Sequence, residues 1–301
     1  MYDIIIVGGG PAGLTAAIYG LRAGKSVLLL EKDSPGGQIA SSPKVENIPG
    51  IKCISGTDFA DNLTDQALSL GLDIEFEKVV LIEKQFNTFV VHTEDNEYYG
   101  KTVILAVGVK HRTLGLPGEE DLIGNGISFC AVCDGAFYAG KDVAMIGGGN
   151  SALQEALLLS EVCNKITIVQ NLASFTGEQK LVDLLLQKEN VEVIFSTIVV
   201  NYETENNKLS GIKLHNTETN YDSELKVDGV FLAVGLMPEN EPFADLVKLN
   251  TFGYFDVGED CTTKTDGLFV AGDCRSKTIR QVVTAAGDGA IAAMAACKYL
   301  D

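Results

Sequence analysis

Ile4-Ile5-Ile6-Val7-Gly8-Gly9-Gly10-Pro11-Ala12-Gly13 sets four apolar, β-branched residues directly before a G-x-G-x-x-G run. A helical pattern follows over residues 12–21, and Val27-Leu28-Leu29-Leu30 reads as a second buried strand, so the segment has the grammar of a βαβ unit. In that context the pattern predicts a dinucleotide cradle. Gly8, Gly10 and Gly13 allow a tight turn and close approach of a pyrophosphate, with Pro11 and Ala12 opening the helix whose free N–H groups and dipole favour anions. Glu31 closes the second strand 23 positions after Gly8, where a carboxylate accepts hydrogen bonds from a ribose. The loop alone does not separate FAD from NAD.

The same grammar recurs downstream. Val143-Ala144-Met145-Ile146 precedes Gly147-Gly148-Gly149-Asn150-Ser151-Ala152, then a helical pattern over 152–159 and a strand pattern over 166–169. Two Rossmann-like modules in 301 residues predict an α/β protein of two domains. Strand patterns at 89–92 and 102–105 complete the first module, and turn-rich stretches at 114–118 and 237–242 serve as hinges. A buried strand over 267–270 and an Ala-rich helix over 279–299 return to the first module. The second module is therefore read as an insertion, with domains 1–113 plus 243–301 and 114–242.

Lys and Arg number 23 against 41 Asp and Glu, a net charge of −18, which disfavours nucleic acid and anionic membranes. The first residues run straight into a strand pattern, and no apolar run is long enough to span a bilayer, so a cytoplasmic setting is expected. Seven widely spread cysteines argue against an extracellular disulfide framework. Cys130-Ala131-Val132-Cys133-Asp134-Gly135 holds the one close pair; the other five cysteines are expected as small buried hydrophobes. Two thiols one turn apart can form a disulfide, and Asp134 could exchange protons as thiolates form and vanish. Zinc usually takes four ligands, and no second pair exists, so redox chemistry is favoured and no metal is expected.

Far from the first loop, Thr265-Asp266-Gly267-Leu268-Phe269-Val270-Ala271-Gly272-Asp273 resembles the ribityl-binding signature of flavoproteins with two dinucleotide domains, which implies FAD in the first domain and a cofactor role for Asp273. With C-A-V-C-D-G just ahead of the second glycine module, the chain resembles the low-molecular-weight thioredoxin reductases along nearly its whole length. Gly36-Gly37-Gln38, residues 45–50 and residues 280–289 are similar to that family's segments around the isoalloxazine. The resemblance implies that Gly37, Gln38, Asn47, Arg280, Gln281 and Ala285 help to hold the flavin. It also implies a homodimer, a module rotation, thioredoxin as partner, Cys133 nearer the flavin, Cys130 as attacking thiol and Asp134 as acid/base.

One departure is sharp. NADPH-dependent members end the strand after the second loop in H-R-R-x-x-x-R, whose arginines clasp the adenosine 2′-phosphate; here the residues are Gln170-Asn171-Leu172-Ala173-Ser174-Phe175-Thr176. Gln170 stands 23 positions after Gly147, the place of Glu31 in the first module, and is neutral. Neither nicotinamide cofactor is selected. The chain is in this respect similar to the ferredoxin-dependent flavin thioredoxin reductases of anaerobic bacteria, which implies reduced ferredoxin as electron donor, docked on a local basic patch for which Arg275, Lys277 and Arg280 are candidates. Three alternatives stay open: an NAD(P)H-dependent enzyme with an atypical cofactor site, a small-molecule dithiol oxidase, and a redox sensor without catalysis. Asp134 argues against the oxidase, whose members often carry histidine there.

Overall fold

The structure, a computed structural model, describes residues 1–42, 45–206 and 208–301. These residues form two compact units, Met1–Lys110 with Met237–Asp301, and His111–Leu236.

In the first unit a seven-stranded sheet runs Asp73–Glu75, Val27–Leu30, Tyr2–Val7, Glu97–Leu105, Thr88–Thr93, Val79–Gln85, with Leu268–Val270 also paired to Glu97–Leu105. The nine-residue strand Glu97–Leu105 has three neighbours: it pairs parallel with Tyr2–Val7, its first half pairs antiparallel with Thr88–Thr93 and its end pairs parallel with Leu268–Val270. Side chains alternate faces along a strand. Ile4 and Ile6 accordingly join a core with helices Pro11–Arg22 and Val282–Leu300, while Ile5 and Val7 join another with Phe243 and Phe255. The two helices meet through small residues, Ala12, Ala16 and Ala17 against Ala285, Ala292 and Ala293. At Gly289 the packing is so close that an added Cβ would stand 2.1 Å from Ala12 O. The Ala-rich helix begins at Val282 rather than 279, because Gln281 and Thr284 form a reciprocal cap there.

The second unit has a five-stranded parallel sheet in the order Val191–Ile194, Lys165–Val169, Asp142–Ile146, Gly229–Leu232, Ile127–Ser128. A three-stranded antiparallel sheet (Thr197–Glu205, Lys208–Asn216, Tyr221–Lys226) accompanies it. Among the described residues no helix is long and apolar enough to cross a membrane.

The two glycine modules share their backbone bonding at the turn. Gly8 N donates to Leu30 O at 2.8 Å, and Gly147 N to Val169 O at 3.0 Å; Leu14 N donates to Gly10 O at 2.9 Å, and Leu153 N to Gly149 O at 3.0 Å. Glu31 and Gln170 occupy one register position in two copies of one motif.

Candidate active site

In the first unit three chain segments converge on the first glycine loop. Gly36 N donates to Gly9 O at 2.8 Å, Gln38 is tied to the Val109 carbonyl, and Gly37 lies against Gly10. Gly272 lies against Ala12, which brings Asp273 to the same place. Helix Pro11–Arg22 opens at Gly10 with Pro11 in its first turn and no side-chain cap, leaving its N–H groups for a ligand. At Gly13 a side chain is excluded, since an added Cβ would stand 1.8 Å from Gly8 O. Glu31 is buried and accepts from Gly9 N at 2.6 Å and Asp33 N at 2.9 Å, which fixes its carboxylate beside the loop.

Asp273 supplies the test of fit for a flavin. One of its carboxylate oxygens is buried without any hydrogen-bond partner, and burial pushes its pKa up. A buried acceptor left open is costly, and the hydroxyls of a ribityl chain are donors of the kind it needs. Asn47 Nδ2 donates to Gln281 Oε1 at 3.1 Å, and Ala285 is buried one turn into the helix that Gln281 caps. Gln38, Asn47, Gln281 and Ala285 thus all stand in the same unit as the first loop. Arg280 takes a supporting place: it donates to the carbonyls of Asp273 and Arg275 and stacks on Tyr254, its guanidinium carbon 4.2 Å from the ring centre.

In the second unit, strand Ile127–Ser128 ends just before the cysteines. Cys130 and Cys133 are joined as a disulfide with Cα atoms 5.3 Å apart, across the single turn Ala131–Asp134. Cys130 begins that turn, its Sγ accepting from Cys133 N at 3.2 Å. The Ser128 hydroxyl accepts from Cys130 N at 3.1 Å and donates to Asp134 Oδ2 at 2.6 Å. Asp134 Oδ1 is buried and unpartnered, and burial pushes this carboxyl's pKa up against the lowering effect of Ser128. A carboxyl whose pKa burial raises, one and four residues from the two cysteines, has the properties of an acid/base group.

The other thiols behave differently. Cys163, Cys261, Cys274 and Cys297 are buried as expected, and burial pushes Cys163 to about 11 and Cys261 and Cys274 to about 12, so they stay protonated and unreactive. Cys53 departs from the expectation: it is exposed.

At the second glycine loop the chain's own residues pack closely. Gln170 is 3% exposed, and its amide donates to Ser174 O at 3.2 Å. It packs so tightly that a Cβ on Gly148 would lie 2.6 Å from the amide. Thr176 N and Gly177 N both donate to Gly148 O, at 2.9 and 3.1 Å. Residues 170–177 carry no lysine, arginine or histidine, and the next residue, Glu178, bonds Asn150 at the start of the helix.

The pyridine nucleotide-disulphide oxidoreductase family pattern matches residues 2–289. The thioredoxin reductase of Bacillus subtilis is 39% identical, over 100% of this chain and 95% of its own length. The chain belongs to the low-molecular-weight thioredoxin reductase family. Another relative, the 34.2 kDa protein in the rubredoxin operon of Clostridium pasteurianum, is 42% identical over 99% of this chain and 97% of its own. The thioredoxin reductase structure from Streptococcus pyogenes MGAS5005 matches with a TM-score of 0.94 at 37% identity, covering 100% of this chain and 98% of that one. Like its family, this thioredoxin reductase-type flavin disulfide oxidoreductase binds FAD.

One expectation is overturned. Arg275 and Lys277 are no surface patch: their side chains are 1% and 4% exposed. Arg275 donates to Asp288 from Nε and Nη2, both at 2.8 Å, and reaches Glu259, while Lys277 reaches Asp288 at 2.9 Å. Cations this deep must be neutralised, and Asp288, itself bonded to Gly272 N at 3.0 Å, does it together with Glu259. Sequence reasoning missed Asp288; its only signal was an acid in the first turns of an Ala-rich buried helix. Arg275→Ala is expected to destabilise the first unit by about 3–5 kcal/mol, because it leaves Asp288 buried and underpaired; a thermal melt equal to wild type would refute that. Burial pushes the Asp288 carboxyl up, but hydrogen bonds from Arg275 and Lys277 outweigh it and leave the pKa low. The cluster's contribution is therefore complete above the ordinary aspartate value of about 3.9 and is lost as pH falls through the lower folded value.

Proposed function

We propose that this chain reduces the disulfide of thioredoxin, or a similar protein disulfide, with electrons from reduced ferredoxin rather than from NADPH. The observation that carries the donor assignment is Gln170: a buried, neutral, self-satisfied amide at the position where a nicotinamide cofactor's adenosine would need an acid or a set of cations. The domain bearing FAD is 1–113 with 243–301, and the cysteine-bearing domain is 114–242. FAD, when bound, supplies a centre that accepts electrons singly and hands on a pair.

The chain's own residues divide the remaining work. Gly8, Gly10, Pro11, Ala12 and Gly13 take the pyrophosphate, Glu31 the ribose and Asp273 the ribityl chain; Gly37, Gln38, Asn47, Gln281 and Ala285 position the ring, with Arg280 bracing Asp273. Cys130 and Cys133 exchange their disulfide for the partner's, Cys130 as the attacking thiol, and Asp134 moves the proton. A homodimer working in the cytoplasm completes the reading. The deciding experiment mixes the purified protein with NADPH, NADH or reduced ferredoxin and follows flavin absorbance, with thioredoxin added to complete the turnover. Ferredoxin that leaves the flavin oxidised would sink the assignment. Asp134→Asn is expected to slow disulfide reduction at least about tenfold; an unchanged rate and pH profile would remove Asp134 from the mechanism.

A further inference from the structure

Beneath the cysteine turn stands an ionisable group that none of these roles uses. Glu155, on helix Asn150–Ser160, reaches across to the turn, where its Oε2 accepts from Ala131 N at 3.3 Å. Ala131 is the residue directly after Cys130. Among the described residues no cation pairs with Glu155, and the one charge that acts on it is Asp134, which repels it. In the core shared by Ala131 and this helix, the titratable side chains are neutral at physiological pH: burial pushes the Tyr138 phenol to about 12 and the Cys163 thiol to about 11. An acid desolvated, uncompensated and bonded to the backbone of a redox turn is the arrangement in which charge and proton occupancy become coupled.

We propose that Glu155 is a redox-linked proton site, which takes up a proton when the Cys130–Cys133 disulfide is reduced to a thiol–thiolate pair and returns it when the disulfide re-forms. This rests on the Cys130–Cys133 pair being the redox centre. Reduction breaks the S–S bond with the two electrons that the disulfide oxidoreductase activity supplies, and one proton makes one thiol. The second sulfur is left as a thiolate one residue from the amide that Glu155 holds. The new negative charge makes the Glu155 carboxylate harder to keep, so it binds a second proton from solvent. When the dithiol passes its two electrons to a partner disulfide, both protons leave again.

The direction with pH follows. With the disulfide closed, burial places Glu155 at about 7, and a thiolate nearby raises it further. Below the first value Glu155 is protonated in both redox states, and above the second it is ionised in both. The extra proton therefore appears only in a window opening near neutral pH.

Equilibrating the FAD-loaded protein with dithiothreitol redox buffers at a series of pH values, and counting Cys130 and Cys133 thiols by alkylation and mass spectrometry, gives the pH slope of the pair's midpoint potential. In the window above neutral pH the wild-type slope should exceed that of Glu155→Gln by about one proton per disulfide. Glu155→Asp, which keeps a carboxyl, should restore the extra proton at a displaced pH. Equal slopes in wild type and Glu155→Gln would overturn the proposal, as would, should the glutamine protein not fold, a Glu155→Asp variant whose extra proton appears at the same pH as in wild type. A pair that never reduces in any buffer would instead refute the assignment of the redox centre.

Discussion

Replacing either Cys130 or Cys133 by serine is expected to leave FAD bound and to lower protein-disulfide reduction on the order of 10³-fold or more. The two sulfurs act as one unit, so each single variant should lose about as much as the double variant. No other thiol can substitute. Four of the remaining five are buried, and Cys53, the exposed one, has no second cysteine in a disulfide with it. Both cysteines belong to the second unit and the first glycine loop to the first, so FAD binding should be retained. Turnover with thioredoxin, read beside the visible spectrum, checks both halves. Full activity in either single variant would end the assignment of the pair as the redox centre.

NADPH is expected to leave the flavin oxidised, and the reason is missing charge. A charge-assisted hydrogen bond from arginine to phosphate contributes about 1.5–3 kcal/mol. The absence of two or three such bonds weakens binding by roughly 3–9 kcal/mol, on the order of 10² to 10⁶ in affinity. The geometry adds to the deficit. Gln170 fills the space beside Gly148, and Glu178 puts a carboxylate at the start of the helix that would face the phosphates. The combined variant Gln170→His, Asn171→Arg, Leu172→Arg and Thr176→Arg should gain measurable NADPH binding, since the loop around Gly147 already has the register of a dinucleotide site. Wild-type flavin that bleaches within milliseconds under micromolar NADPH would return the chain to ordinary NADPH dependence.

The nucleotide modules were legible because their signals are local. Apolar runs of four residues, a glycine run and a helical period fall in order twice, and both strand-turn-helix units form where expected. Boundaries moved where capping decided them: the last helix starts at Gln281's cap and not at 279. Helix Gly56–Ser69 went unread although Ser55 caps it by accepting from Asp58 N, a spacing visible in the sequence. What the sequence could not reveal was burial of charge. Arg275 and Lys277 look like surface cations until Asp288, eleven or more residues away, folds against them. Glu155 was missed for the same reason: its partner, Ala131 N, lies 24 residues away and is a backbone group.

The two cradles differ in one more respect than their charge. In the second, Gln170, Thr176 and Gly177 find partners within the chain. The first ends in an Asp273 oxygen that no residue satisfies. By mass action, a ligand that binds only the folded form adds to its stability as its concentration rises. Heat resistance of Met1–Lys110 with Met237–Asp301 is thus set in part by how much free flavin surrounds the protein, and on the proposed reading added NADPH or NADH should leave the melting temperature where it is.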